Sequence, residues 1–315
     1  MPFPSRPVAR RVLRYAAATG AAGVACLGYA AAVEVRWFVL RELQLPVLPA
    51  GKSSLSILHL SDLHLTPTQR RKRDWLRGLS ALDPDLVVCT GDMLAHRDAV
   101  RPVLEALDGL LDVPGVFVLG SNDYFSPAAR NPARYLFPDS GQRNTHTSKL
   151  PWQDLVAGLE RRGWVGLANR RDRLRVRDVD IAFAGVDDPH LGYDDLAAVA
   201  GPADAAADLR LAVSHAPYLR VLDQFARDGY DAIVSGHTHG GQLCLPGGRA
   251  LVTNCDLEPA RARGLHRHPA WSPVGVPGSA WLHVSAGLGT SPYAPVRFCC
   301  RPEATLLRLT ATQPE

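Results

Sequence analysis

The chain has 315 residues, 46% of them apolar and 21% charged, with 35 Lys and Arg against 31 Asp and Glu. These proportions exclude a disordered tail protein, a collagen, a disulfide miniprotein and a protein of many membrane spans. The net charge of +4 hints at a basic protein, but its placement argues otherwise.

Residues 1–33 hold Arg6, Arg10, Arg11 and Arg14 and no acid, so residues 34–315 are formally neutral. The next stretch, Tyr15 to Val33, is 19 residues without a charge, close to the ~20 that cross a bilayer as a helix. Arginines ahead of it favour a cytoplasmic N-terminus. Residues 1–33 therefore read as a transmembrane anchor or a cleaved export signal, with the body extracytoplasmic at the cell membrane or exported. Ala30-Ala31-Ala32 offers a small-residue cleavage site, and Ala9-Arg10-Arg11-Val12-Leu13 resembles a twin-arginine signal. Cys26 follows a poor lipobox. A buried helix of a soluble protein is the other reading.

Residues 34–54 read as a linker, with Pro46 and Pro49 unfit for a helix. The body, 55–315, then alternates. Strands are expected at 55–60, 86–90, 116–119, 181–184, 211–213, 232–235, 280–285 and 305–309. Helices are expected at 74–82, 99–111 and 152–162. This interleaving predicts an α/β fold with helices packed outside sheets. Residues 124–151 and 243–278 lack periodicity and read as long loops of the kind that carry function. Six cysteines in this length do not make a disulfide framework. Cys244 and Cys255 flank a Pro-Gly-Gly turn and are a candidate pair in an exported body.

Metal-ligand residue types stand at the strand ends. Strand 55–60 leads into Ser61-Asp62-Leu63-His64, and strand 86–90 into Gly91-Asp92. Strand 116–119 leads into Gly120-Ser121-Asn122-Asp123, and strand 211–213 into Ser214-His215. Strand 232–235 leads into Gly236-His237-Thr238-His239-Gly240-Gly241. Asp-x-His and His-x-His put alternate side chains on one side of an extended backbone, so two ligands converge on one ion. Ligands in α/β architectures collect at the carboxyl ends of strands.

These five motifs, in this order, resemble the calcineurin-like metallophosphoesterases, and the match runs from about Leu55 to Leu309. The resemblance is nearest to membrane-associated or exported bacterial members. It implies a two-sheet β-sandwich flanked by helices in αββα layers, and two divalent metal ions, with Mn, Fe, Zn and Co all suited to mixed carboxylate and imidazole ligands. Asp62, His64 and His239 would hold the first ion, His215 and His237 the second, with Asp92 bridging. Ions about 3.5–4 Å apart polarise a phosphoryl oxygen and acidify a water for in-line attack at phosphorus.

One motif departs from the family's Gly-Asn-His-Asp/Glu. Ungapped, Ser121 falls at the ligand position and Asn122 at that of the His, which leaves no acid for the leaving group, since Asn does not protonate an alkoxide. Shifted by one, Asn122 becomes a ligand of the second ion and Asp123 takes the place of the His. The shifted register is favoured here, with Asp123, His96 or His190 as candidate acids.

Other residues read more plainly. His59 and His283 are expected in the core, and His146, His266 and His268 in loops. Arg70-Arg71-Lys72-Arg73 is a solvated helix start or a contact to anionic lipid or substrate phosphate. Arg130, Arg134 and Tyr135 are candidates for a substrate lid. Gly287-Leu288-Gly289-Thr290-Ser291 and Arg297 read as mainly structural, with Arg297 also a possible phosphate contact.

The expected function is metal-dependent hydrolysis of a phosphodiester or pyrophosphate bond in a lipid-linked or nucleotide substrate. The alternative is a non-catalytic metal-bearing scaffold, which the altered 120–123 motif keeps open. Expected partners are a phosphate-ester small molecule or lipid head group, and the membrane through the N-terminal segment. The neutral body has no basic-aromatic stripe, so no nucleic acid is expected; a monomer is expected.

Overall fold

The computed structural model describes residues 6–129, 141, 143 and 145–312, with only the backbone of residues 6–10, 12, 13 and 16. Arg130, Arg134 and Tyr135 lie outside the described residues, as do the side chains of Arg6 and Arg10. In chain order the elements are α1 (Arg6–Ala32), β1 (Val39–Leu48), β2 (Leu55–Leu60), α2 (Arg70–Gly78), β3 (Leu86–Cys89), α3 (Val100–Leu107), β4 (Gly115–Phe117), α4 (Ser121–Tyr124) and α5 (Trp152–Glu160). There follow β5 (Val165–Gly166), β6 (Arg170–Val176), β7 (Val179–Gly185), α6 (Leu196–Val199), β8 (Leu209–Val213), α7 (Leu219–Arg227), β9 (Ala232–Ser235), β10 (Gly264–His268), β11 (Ala280–Val284) and β12 (Glu303–Ala311).

Two six-stranded sheets result, in the orders β1-β12-β2-β3-β4-β5 and β10-β11-β9-β8-β7-β6. Strands β2, β3 and β4 run parallel, as do β7, β8, β9 and β11. Their near-continuous apolar sequences follow from burial on both faces. Between the sheets, Leu55, Ile57, Val88 and Leu307 share one core with Ile181, Phe183, Leu211 and Val234. Outside the first sheet, Leu58, Leu60 and Val87 pack with Leu76, Val103 and Leu155 of the helices. Outside the second, Ala212, Ile233 and Leu282 pack with Val221, Leu222 and Phe225 of α7. The molecule is thus the layered sandwich of sheets and helices that the strand-helix alternation predicts.

Residues 34–54 differ from the linker expectation. They contain β1, which pairs with β12 at the rim of the first sheet. Pro46 sits in that strand without harm, because an edge strand leaves one side unpaired and the register slips between Pro46 and Leu48. The 243–278 stretch likewise contains β10, paired antiparallel with β11. Strand β6 carries Arg170, Arg171, Arg173 and Arg175, which stay largely in solvent as expected of a charged edge.

Helix α1 and the short turn after it carry an apolar stretch, Ala17–Arg36, long enough to cross a bilayer. Most of that stretch is exposed, and contact with the body begins at its end, where Ala30 is buried.

Candidate functional site

The parallel strands β2, β3, β8 and β9 all end at one edge of the sandwich, and the backbone turns sharply there. Asp62, His64, Asp92, His237 and His239 have φ of 50°, 42°, 53°, 67° and 51°. Left-handed backbone is uncommon for residues with a Cβ and costs roughly 1–2 kcal/mol each. It turns these side chains inward over the strand ends instead of along them. Glycine is required where strand ends crowd together: a Cβ on Gly236 would stand 1.7 Å from Ser61 Oγ, and one on Gly120 would stand 2.4 Å from Asp92 Oδ1.

Asp62, His64, Asp92 and His239 are buried, with ligand atoms all within 4.8 Å of one another. His64 Nε2 lies 3.2 Å from His239 Nε2 and 3.4 Å from Asp92 Oδ2. His239 Nε2 lies 3.6 Å from Asp62 Oδ1. The same Asp92 Oδ2 lies 3.7 Å from His215 Nε2, which is 3.3 Å from His237 Nδ1. Asp92 therefore stands between two groups of imidazoles.

The tautomers follow from the carbonyls behind the rings, since a carbonyl only accepts. His239 Nδ1 donates to Gly289 O (3.0 Å), His215 Nδ1 to Thr90 O (2.6 Å), and His237 Nε2 to Asn254 O (3.2 Å). Each neutral ring then aims a bare lone pair at another lone pair or at a carboxylate. Such an arrangement is repulsive unless a cation or a proton sits at its focus. Orienting a ligating His through its other nitrogen is characteristic of metal sites. Asp62 Oδ1 and His64 Nδ1 are buried with no hydrogen-bond partner, a further mark of a donor set that fits divalent cations.

The electrostatics separate the two groups: His64 and His239 stay neutral, whereas His215 holds a proton when no cation takes its place. Burial lowers His64 to about 4, against the pull of Asp92, and lowers His239 well below the usual range. Burial raises Asp62 to about 6, aided by Asp92. Burial would also raise Asp92, but His215, His64 and Asn122 together hold it below the usual carboxylate range. His215 is opposed by burial, yet Asp92, Asp188 and Asp62 raise it to about 9. Four imidazoles and two carboxylates share this edge.

The altered motif has its own geometry. Asn122 donates from its backbone N–H to Asp92 Oδ1 and from Nδ2 to Asp92 Oδ2, both at 2.7 Å. Asp123 is placed differently from the expected acid. It is fully buried, and its carboxylate accepts from the amides of Met93 (2.8 Å), Leu94 (3.0 Å) and Gly120 (3.0 Å). With both oxygens so occupied it ties the loop after β3 to the loop after β4. Burial and Asp92 raise its carboxyl to about 7.

His96 is not brought to this cluster. It is exposed on the turn after Ala95, where its Nδ1 accepts from the Asp98 amide at 3.1 Å. His190 is brought in: its ring centroid lies 4.4 Å from that of His237. Its Nδ1 is 3.1 Å from Tyr218 Oη, and its carbonyl accepts from Arg143 Nε. Asp188, fully buried, accepts from the His190 amide at 2.7 Å.

Several supports escaped the sequence reading. Lys72 belongs to a basic helix start, but it is buried and donates to Leu63 O at 2.7 Å, between the two ligand residues of that loop. Burial and Arg297 lower it to about 7. Arg297 is fully buried and donates to the carbonyls of Ala286 (2.7 Å), Gly289 (2.7 Å), Gly287 (3.1 Å), His239 (3.3 Å) and Cys300 (3.3 Å). Its role is structural, and no donor is left for a phosphate beyond Nε, which is itself buried. Cys244 packs with Cys300, Ala250 and Ala286, whereas Cys255 packs against the α7 core, so the expected pairing is not made. His59 and His283 are both core residues, joined Nδ1 to Nδ1 at 2.8 Å.

Comparison with known proteins gives a family and several relatives. Residues 55–241 match the family model of the calcineurin-like phosphoesterases. The uncharacterized metallophosphoesterase YkoQ of Bacillus subtilis is 27% identical over 264 residues, 82% of this chain and 84% of that protein. The UDP-2,3-diacylglucosamine pyrophosphatase LpxG of Chlamydia trachomatis is 28% identical over 304 residues, 84% of this chain and 86% of that protein. A transmembrane protein with metallophosphoesterase domain from Bos taurus is 30% identical over 203 residues, 62% of this chain and 43% of that protein. Among solved structures, the NAD nucleotidase NadN of Haemophilus influenzae matches at a TM-score of 0.45 and 16% identity, over 75% of this chain and 46% of that one.

Proposed function

Because the chain belongs to the calcineurin-like phosphoesterases, we propose that it is a membrane-held phosphohydrolase with two divalent cations, Mn, Fe, Zn or Co, that splits a phosphodiester or pyrophosphate bond. The observation that carries this reading is the convergence of imidazole nitrogens, His64 on His239 and His215 on His237, beside Asp62 and Asp92, with the rings of His239, His215 and His237 each oriented from behind by a carbonyl. Asp62, His64 and His239 would hold one cation and His215 and His237 the other, with Asp92 between them and Asn122 beside it. When bound, such cations polarise a phosphoryl oxygen and acidify water for attack at phosphorus.

The chain's own residues do the rest. Asp92 turns one oxygen, Oδ2, to both His64 and His215, and Asn122 fixes the plane of its carboxylate through two hydrogen bonds. Asp123 and Lys72 hold the loops that carry the ligands. His190, beside His237, is the candidate for delivering a proton to the leaving oxygen. A good leaving group such as a nucleotide phosphate lessens the need for that proton. The likeness to LpxG, whose name describes a pyrophosphatase of a lipid-linked nucleotide, favours a substrate of that kind. Helix α1 favours a site held at the membrane, and the arginines before it favour the body outside the cytoplasm.

The test uses the full chain in detergent micelles, loaded with Mn and offered bis-(p-nitrophenyl) phosphate and a panel of lipid-linked and free nucleotide diphosphates. Hydrolysis that requires the metal is expected. Bound metal with no hydrolysis under any divalent ion would establish the scaffold reading instead.

A further inference from the structure

Helix α1 meets the body at the edge that carries the candidate metal ligands, and strand register shows why. Strand β12 is antiparallel to β2, with Thr305 opposite His59, so Glu303 lies at the end of β2 that leads into Asp62. Strand β1 is parallel to β12, with Val39 opposite Glu303. The chain leaving α1 therefore enters the body at that edge. Contacts fasten it there. Arg297 N donates to Ala30 O at 3.1 Å, and the Tyr29 ring meets the Phe298 ring edge-on at 6.4 Å. The buried Glu34 carboxylate accepts from the amides of Cys299 (3.1 Å) and Cys300 (2.5 Å). The same segment, through Arg297, grips the carbonyl of His239.

Around this foot of α1 the surface is not that of an ordinary soluble domain. Trp37 is 50% exposed, Leu245 48%, Leu251 39% and Tyr293 52%. They are neighbours by hydrogen bonding. Cys244 N donates to Phe298 O at 2.9 Å and Leu245 N to Arg249 O at 2.9 Å, which places the 243–251 hairpin beside the Tyr29 contact. Gln242 Nε2 donates to Ala294 O at 3.1 Å, which joins the Tyr293 loop to the same hairpin. Arg301 stacks over Trp37 at 4.1 Å, and Arg36 and Arg249 are exposed. Trp271 is more exposed still, but it follows His268, which pairs with Ala280 at the opposite edge. Trp, Tyr and Leu ringed by Arg are the side chains that settle at the boundary between lipid head groups and acyl chains.

We propose that the metal-bearing edge of the body lies flat on the anionic bilayer that holds α1. Trp37, Leu245, Leu251 and Tyr293 reach the head-group boundary, and Arg36 and Arg249 meet lipid phosphates. The proposal rests on the reading of α1 as an anchor. Its consequence for substrate is that the ligand cluster stands near the level of the lipid phosphates, so a phosphate on an amphiphile is brought to it without leaving the membrane.

The test is depth-dependent quenching on the full chain, reconstituted in phosphatidylcholine–phosphatidylglycerol vesicles whose acyl chains carry bromine. Leu245→Trp adds a reporter at the hairpin tip. Arg175→Trp adds one on β6, near its turn to β7 and hence at the opposite edge. The added fluorescence of Leu245→Trp is expected to be quenched at least twofold more than that of Arg175→Trp. An alkaline carbonate wash tests the anchor separately. Protein that resists the wash while both reporters are quenched equally overturns the proposal and leaves the anchor standing. Protein that the wash removes overturns the anchor, and the proposal with it.

Discussion

Asn122 meets both oxygens of Asp92, its backbone N–H on Oδ1 and its side-chain amide on Oδ2, each at 2.7 Å. A carboxylate that lies between two groups of imidazoles is thereby held in one plane. Asn122→Asp replaces a donor with a second negative charge against Asp92. The expected result is a loss of at least tenfold in kcat/KM, about 1.4 kcal/mol of transition-state stabilisation. Asp92→Asn is expected to abolish hydrolysis and to lower bound metal, read by elemental analysis of the purified protein. Normal metal content and activity in Asp92→Asn would remove its bridging role.

Chelation is expected to destabilise the fold as well as silence it. Without cations, His64 and His239, both of which burial keeps neutral, face each other across 3.2 Å. Prolonged dialysis against EDTA is expected to lower Tm by several degrees, and Mn added in excess to restore it. An unchanged Tm would mean that the cluster is at ease without metal.

Arg297 donates to five backbone carbonyls from a fully buried position. Arg297→Met strands those acceptors, and a loss on the order of 3 kcal/mol or more is expected in urea denaturation. Arg297→Lys, with three donors in place of five, is expected to fall between the two.

The buried His59–His283 pair makes stability sensitive to acid. Burial lowers His283 to about 3 and His59 well below its ordinary 6.5, each further lowered by a neighbouring histidine. Below about pH 6.5 the unfolded chain binds protons at these rings and the folded chain does not. Their contribution is therefore present above pH 6.5 and is lost as pH falls toward 3. Each ring contributes a slope of up to ~1.4 kcal/mol per pH unit. His283→Leu is expected to reduce that slope by about one group, measured as the difference from wild type in urea midpoints at pH 7, 6 and 5. Parallel curves would refute it.

Glu34 couples the foot of α1 to residues 299 and 300. Glu34→Ala leaves two amides without their acceptor, and a local loss of about 1–3 kcal/mol is expected. Hydrogen exchange should quicken at the amides of Cys299 and Cys300 while β8 and β9 keep their protection. Unchanged exchange at 299 and 300 would show that the contact holds nothing.

Much of the fold was legible because buried parallel strands announce themselves. Leu86–Cys89 and Ala232–Val234 are unbroken apolar runs, each followed after one hydroxyl residue by a glycine and a ligand type. Strand β6 was illegible because four of its seven residues are arginine, a composition that only an exposed edge tolerates. Helix α7 was missed because nine residues hold little more than two turns of periodicity. In the site, the converging residue types were readable from their place just after the strands, but left-handed backbone, and not extended alternation, is what turns them together. Their supports were not readable. Gly289, Thr90 and Asn254 act through carbonyls, which every residue possesses. Lys72 was hidden among arginines of the same helix start, since which of them turns inward depends on where Leu63 O lies. Asp123 is a related case: its chemistry suits an acid, and only the three amides around it reveal that it also clamps two loops.

The left-handed backbone at Asp62, His64, Asp92, His237 and His239 restricts the site's evolutionary neighbourhood. Val, Ile and Thr are nearly barred from those positions whatever the chemistry demands, because a branched Cβ is poorly tolerated there. Glycine and asparagine are admitted most readily. A descendant released from catalysis would therefore not drift freely at these five places. It would collect glycine and asparagine, and so keep the outline of the turns long after the ligands were gone.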